Sequence, residues 1–150
     1  MSAQDVNEIR NKLYQYCWLI DSGDFEGVAD LLQYADVSYD NRLAYSKNRE
    51  AYLKTTRDIM TYEDNTPKTM HMCINPQIEV NEEEGTATAR SYTVVIQGKT
   101  GEFLPKFVWM DRKLDTLAKI NGKWEFTSRN FVTHAMGDVS THLKTFGRKK

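Results

Sequence analysis

Apolar residues recur every three or four positions in the first third of the chain and at alternate positions in the rest, so helices should precede strands. Val6, Ile9, Leu13, Tyr16, Cys17 and Ile20 fall on one stripe and predict an amphipathic helix over 5–21, with Asp5 at its positive end. It stops at the Asp21-Ser22-Gly23-Asp24 turn. Asp24 can cap a second, shorter helix to about Gln33, with Phe25, Val28, Leu31 and Leu32 buried. Short extended stretches follow around Val37 to Tyr39 and Arg42 to Tyr45. Ser46 or Asn48 then caps a third helix through about Met60, packed through Tyr52, Ile59 and Met60.

Beyond Pro67 the period becomes two. Residues 68–80, 86–97, 103–120 and 123–133 are rich in β-branched and aromatic residues, separated by Glu82 to Gly85, Gly98 to Gly101 and Asn121-Gly122. Asn-Gly is a strong hairpin signal, and the four segments read as an antiparallel meander. Helices followed by such a meander predict one α+β domain over 1–150, its sheet curled over the helices.

Composition narrows the partners. The chain has 150 residues, enough for a core and a ligand cavity. With 20 Lys plus Arg against 21 Asp plus Glu, the net charge is -1, which argues against nucleic acid as a partner. The Arg148 to Lys150 cluster reads as a solvated tail. No apolar run approaches the roughly 20 residues of a membrane span, and Met1 to Glu8 is polar and acidic. A cytoplasmic protein with no membrane partner is expected. Cys17 and Cys73 read as reduced thiols rather than a disulfide framework. Eight Tyr, six Phe and three Trp suit an apolar pocket or a plain core equally.

Two residues carry candidate chemistry. An imidazole oriented by a carboxylate removes protons near neutral pH without metal or cofactor, its ordinary pKa being about 6.5. Asp21 closes the first helix, where a carboxylate meets the negative end of the dipole, and His71 lies on an alternating strand. Taken locally, Asp21 only opens the turn and His71 is a satisfied core residue.

The order of elements carries several landmarks. Tyr16 and Asp21 lie in Tyr-Cys-Trp-Leu-Ile-Asp-Ser-Gly-Asp-Phe-Glu-Gly, and His71 opens His-Met-Cys-Ile-Asn-Pro-Gln-Ile-Glu-Val. Gly85-Thr-Ala-Thr-Ala-Arg-Ser-Tyr and Asn121-Gly-Lys-Trp-Glu-Phe, followed by Arg129, complete the set. Together they resemble the SnoaL-like branch of the nuclear-transport-factor-2-like superfamily over nearly the whole chain. The resemblance implies a cone: a curved, mixed, mainly antiparallel sheet wrapped over amino-terminal helices as an α+β barrel with a cavity. The superfamily includes dehydratases, a dehydrochlorinase, polyketide cyclases, isomerases and proteins that only bind ligands. In members like scytalone dehydratase, bile-acid 7α-dehydratase and hexachlorocyclohexane dehydrochlorinase, an Asp ending the first helix and a His on the sheet form the base. By position these are Asp21 and His71. The bile-acid enzymes also carry a Tyr five residues before the Asp, which matches Tyr16, and an Arg near the carboxyl end, for which Arg129 is a loose candidate.

The implied activity is a cofactor-independent lyase, a dehydratase of a small apolar alicyclic, steroid-like or polyketide-like substrate. An isomerase or cyclase on the same base, and a non-catalytic binding or assembly module, are the alternatives. Tyr16 raises a geometric difficulty: five residues turn about 500°, leaving it roughly 140° around the helix from Asp21, so its role requires the helix to end, bend or unwind first. His71, Cys73 and Asn75 alternate and should share a face, which makes Cys73 and Asn75 substrate-binding candidates with Tyr39, Tyr92, Trp109 and Arg129. Phe107 is a further candidate lining residue. Cys17, Asp21, His71 and Cys73 could converge on a metal, but close CxxC or HxxxH spacing is missing and no metal is expected. His134 and His142, near the carboxyl end, should be solvated. Large apolar residues on an outer sheet face would make the protein a homo-oligomer, a dimer or trimer.

Overall fold

The computed structural model describes residues 2–99 and 104–147. The expected Arg148 to Lys150 tail, residue 103 and the second half of the Gly98 to Gly101 connection lie outside the described residues. Helix α1 spans Ala3–Asp21, with the Ser2 hydroxyl accepting from the Asp5 amide as its cap. Ile9, Leu13, Tyr16, Cys17 and Ile20 are its buried stripe. Asp5, besides favouring the dipole, accepts from Trp124 Nε1 at 2.8 Å and pairs with Lys119 at 2.9 Å, which ties the start of the helix to the sheet. After Asp21 the chain reverses through Gly23, whose φ is +76°. A Cβ there would stand 2.2 Å from the Asn65 carbonyl oxygen, so both conformation and space require glycine.

Helix α2 (Phe25–Leu31) is capped by Asp24, as the sequence predicts, and stops two residues before Gln33. The extended stretches are strands β1 (Asp36–Tyr39) and β2 (Arg42–Ser46), and α3 (Arg49–Thr56) follows an Asn48 cap. It does not reach Met60. The chain leaves the helix there because Ile59 bridges Leu143 and the Met60 amide donates to the His142 carbonyl at 2.8 Å. The segment is recruited by the carboxyl-terminal end of the chain.

The four long strands are β3 (Thr69–Asn81), β4 (Thr86–Gln97), β5 (Lys106–Ile120) and β6 (Lys123–Met136). They form the expected meander within a six-stranded sheet ordered β2-β1-β6-β5-β4-β3. The parallel pairing of β1 with β6 makes the sheet mixed. It is curved and open rather than closed into a barrel. A short helix α4 (Lys144–Gly147) ends the described chain. Among the described residues no helix is long and apolar enough to cross a membrane.

Bulges set which side chains face inward. β3 slips by one residue between Ile74 and Gln77, where Asn75 adopts φ +52°. Thr69, His71 and Cys73 face α1 before the slip, and Ile78 and Val80 pack on the core after it. Pro76, which has no N–H, sits at this slip on an edge strand, where no ladder bond is lost. A second slip, between Thr116 and Leu117 of β5 opposite Ser128 and Phe126, lets β6 bury Trp124 and Phe126 and then Arg129 and Phe131.

Candidate active site

Asp21 and His71 meet where the end of α1 crosses β3. Asp21 Oδ1 lies 2.6 Å from His71 Nδ1, and the same carboxylate accepts from the His71 backbone amide at 2.7 Å and the Thr69 hydroxyl at 2.8 Å. Three donors thus hold one acceptor, and the side chains of His71 and Asp21 are 8% and 19% exposed. With Nδ1 engaged, Nε2 is the nitrogen left to the solvent side, the arrangement that makes an imidazole a base.

His71 lines a cavity of about 230 Å³ together with Tyr16, Ile20, Tyr39, Tyr52, Trp109 and Phe131. Asp111, Lys113 and His142 also face it, and Thr55, Asp58 and Leu143 close its rim. Tyr16 stands edge-on to His71, with ring centroids 6.2 Å apart. Tyr39 stacks on Phe131 at 5.0 Å, which holds both rings on the wall. Burial pushes the Tyr16 phenol well above its ordinary pKa, and Tyr52 adds to this while Arg129 opposes it. Tyr16 is therefore a protonated donor.

The helix does not unwind before Asp21, contrary to the requirement inferred from the helical wheel. Tyr16 faces the cavity directly, whereas Asp21 grips His71 from behind and need not share that direction.

Other expected binders are placed differently. Asn75, re-aimed by the bulge, and Tyr92, an even-numbered β4 residue beside inward-facing Ser91 and Thr93, lie on the opposite side of the sheet. There they line a larger open concavity of about 650 Å³ with Arg90 and Arg112. Neither reaches the His71 cavity. Phe107 does not line it either. Cys73 packs against the core, and it and Cys17 are both free thiols. Arg129 is 1% exposed, paired with Asp115 through two 2.8 Å bonds, and its guanidinium lies 4.6 Å from the Tyr16 ring centroid. It supports Tyr16 from beneath and is absent from the cavity wall. Among the described residues no three His, Cys, Asp or Glu side chains gather as metal ligands, and Cys17 instead donates to the Leu13 carbonyl.

Three groups at the site were not anticipated. Asp111 and Lys113 share the inward phase that Leu117 fixes for β5, so counting back by twos from that core leucine would have found them. His142 comes from the carboxyl-terminal strap. Gln97 donates to the Thr141 carbonyl at 3.0 Å, and Asp58 accepts from the Thr145 amide at 2.9 Å, which pins the strap across the rim. No local pattern announces such a placement. Burial, and then the charge of His71, push the His142 imidazole down to about 4 against the pull of Asp21, so it is neutral at pH 7.

A SnoaL-like domain model matches residues 1–130. The chain belongs to the SnoaL-like family. That family includes dehydratases, isomerases and polyketide cyclases, and its members bind small molecules. A candidate scytalone dehydratase from Novosphingobium aromaticivorans is 24% identical, covers 87% of this chain and 85% of its own, and superposes with a TM-score of 0.68. ActVI-ORFA from Streptomyces coelicolor is 17% identical, with 87% and 98% covered and a TM-score of 0.71. An NTF2-like protein with a cystatin-like fold, also from N. aromaticivorans, is 23% identical over 87% and 82%, with a TM-score of 0.69. These likenesses establish the fold. No curated protein matches the chain in sequence. His142 lies beyond the part of the chain that the family model covers.

Proposed function

We propose that this protein is a cofactor-independent lyase that dehydrates a compact, largely apolar hydroxycarbonyl compound. The supporting observation is the 2.6 Å contact between Asp21 and His71 on the wall of a cavity. Nε2 of His71 takes a proton from the carbon next to the carbonyl, and the C–H electron pair passes into the carbonyl group as an enolate. As the carbonyl re-forms, the bond to the neighbouring hydroxyl breaks. The departing hydroxide takes the proton from the His71 imidazolium and leaves as water, with the Tyr16 hydroxyl donating a hydrogen bond to the same oxygen. Asp21 fixes the tautomer and steadies the imidazolium. At about 230 Å³ the cavity is smaller than the roughly 300–1,000 Å³ of typical ligand pockets, which favours one- or two-ring alicyclic or polyketide-like molecules over steroids.

The test is a panel of compact hydroxyketones followed by mass spectrometry for loss of water. An isomer of unchanged mass would instead identify the isomerase or cyclase use of the same base. On an active substrate, His71→Ala should cost about 10² to 10⁴ in turnover, the usual worth of a positioned acid-base group. Undiminished turnover by a folded His71→Ala variant would refute the mechanism.

A further inference from the structure

Lys113 is the cation most deeply set in the cavity wall. Its side chain is 5% exposed, and its ammonium donates to Thr93 Oγ1 at 2.7 Å and Asp111 Oδ1 at 2.9 Å. An ammonium has three donors, so these bonds leave one N–H. Lys113 lines the cavity beside its aromatic border, with Nζ 4.9 Å from the Phe131 ring centroid and 5.5 Å from that of Tyr16. Desolvation by burial pulls the Lys113 pKa down, while Asp111 opposes this. A buried ion pair is a poor source of stability, since apolar residues of similar volume commonly do as well. A fixed donor at a water-poor wall is, by contrast, what a developing oxyanion requires.

We propose that Lys113 is the oxygen-binding site of this cavity. Its remaining N–H holds the substrate's carbonyl oxygen and the enolate oxygen that this carbonyl becomes. Lys113 and His71 approach the same Tyr16 ring, so one small molecule can span the base and the oxygen site. Because Asp111 already balances the ammonium, the pair suits a neutral carbonyl that gains charge during reaction better than a permanent carboxylate. The substrate class is therefore ketones and aldehydes with a hydroxyl one carbon further on. The enolate part of this inference rests on the base assigned to His71, whereas the binding part stands without it.

The probe is 4-nitrophenol, whose ionised oxygen mimics an enolate and whose ionisation is visible in its absorbance. Bound to the wild-type protein, it should titrate at least about one pH unit lower than in water, a tenfold preference for the phenolate. Lys113→Met should abolish that shift, and His71→Gln should keep it while losing turnover. A double variant, Lys113→Met with Asp111→Asn, removes both buried charges. It serves if the single variant, with Asp111 left unpaired, fails to fold by circular dichroism. An unshifted wild-type titration overturns the proposal, as does one raised by the phenol donating to Asp111. So does a shift that survives in the folded Lys113 variants. Loss of the shift in Lys113→Met together with full turnover in His71→Ala would refute the base and keep the oxygen site.

Discussion

At one end of the concave side of the sheet, Ala87, Ala89, Leu117, Trp124 and Phe126 point inward and pack with Ile9 and Leu13 of α1. At the other end the same strands turn Thr93, Asp111, Lys113, Asp115 and Arg129 inward, all buried and all polar or charged. Both regions are equally shielded, so burial alone does not separate them. The first lowers free energy by removing apolar surface from water. The second spends backbone positions on charges whose desolvation must be offset by partners, as with Arg129 and Asp115. On a single strand, β5, the change occurs within two residues, between Asp115 and Leu117. Stability and ligand chemistry should therefore separate along that strand.

The largest effect expected is at the apolar end. Leu117 is 1% exposed, and Leu117→Ala should cost about 2–5 kcal/mol in urea unfolding through lost transfer energy and the cavity left behind. The folded fraction should still shift the nitrophenol titration as wild type does. A Leu117→Ala protein of unchanged stability, or one that has lost the probe shift, would dissolve the distinction between the two ends.

A smaller effect, confined to acid, is expected from the strap. His142 falls from 6.5 when unfolded to about 4 in the fold, chiefly through burial. Between those values the unfolded chain binds a proton that the folded chain refuses, so stability drops as pH falls through this window and is untouched above it. His142→Gln removes the refusal. The variant's Tm relative to wild type should rise as pH is lowered from 6.5 to 4 and stay level from 7 to 8. A difference that is flat across both ranges would show that His142 is hydrated rather than sealed into the rim.

This separation also accounts for what the sequence could reveal. Helix caps at Asp24 and Asn48, the Asn121-Gly122 turn and the alternation in the long strands are local signals, and the elements they predict are present. The Asp21 and His71 pair was reachable only through family resemblance, because the contact joins the end of α1 to β3 across 50 residues of sequence. Asn75 and Tyr92 were misdirected. A bulge leaves composition unchanged while inverting every side chain beyond it, and nothing in Tyr92's own neighbourhood states which phase of β4 is inward. His142 depends on contacts between segments far apart in sequence, Ile59 with Leu143 and Gln97 with Thr141, so its place at the cavity is a tertiary property.

The smallest effect expected tests the bulge itself. Asn75 holds φ +52° on the outer face, a conformation that glycine adopts freely and alanine does not. Asn75→Gly should leave stability within about 0.5 kcal/mol, and Asn75→Ala should lose about 1 kcal/mol, as left-handed strain typically costs. Neither should move the nitrophenol titration, because the side chain points away from the cavity and only the backbone conformation is at stake. If Asn75→Ala altered the bound probe while Asn75→Gly did not, the bulge would be positioning His71 as well as turning Asn75 outward. The edge strand would then belong to the site through its backbone, four residues from the nearest cavity-lining side chain.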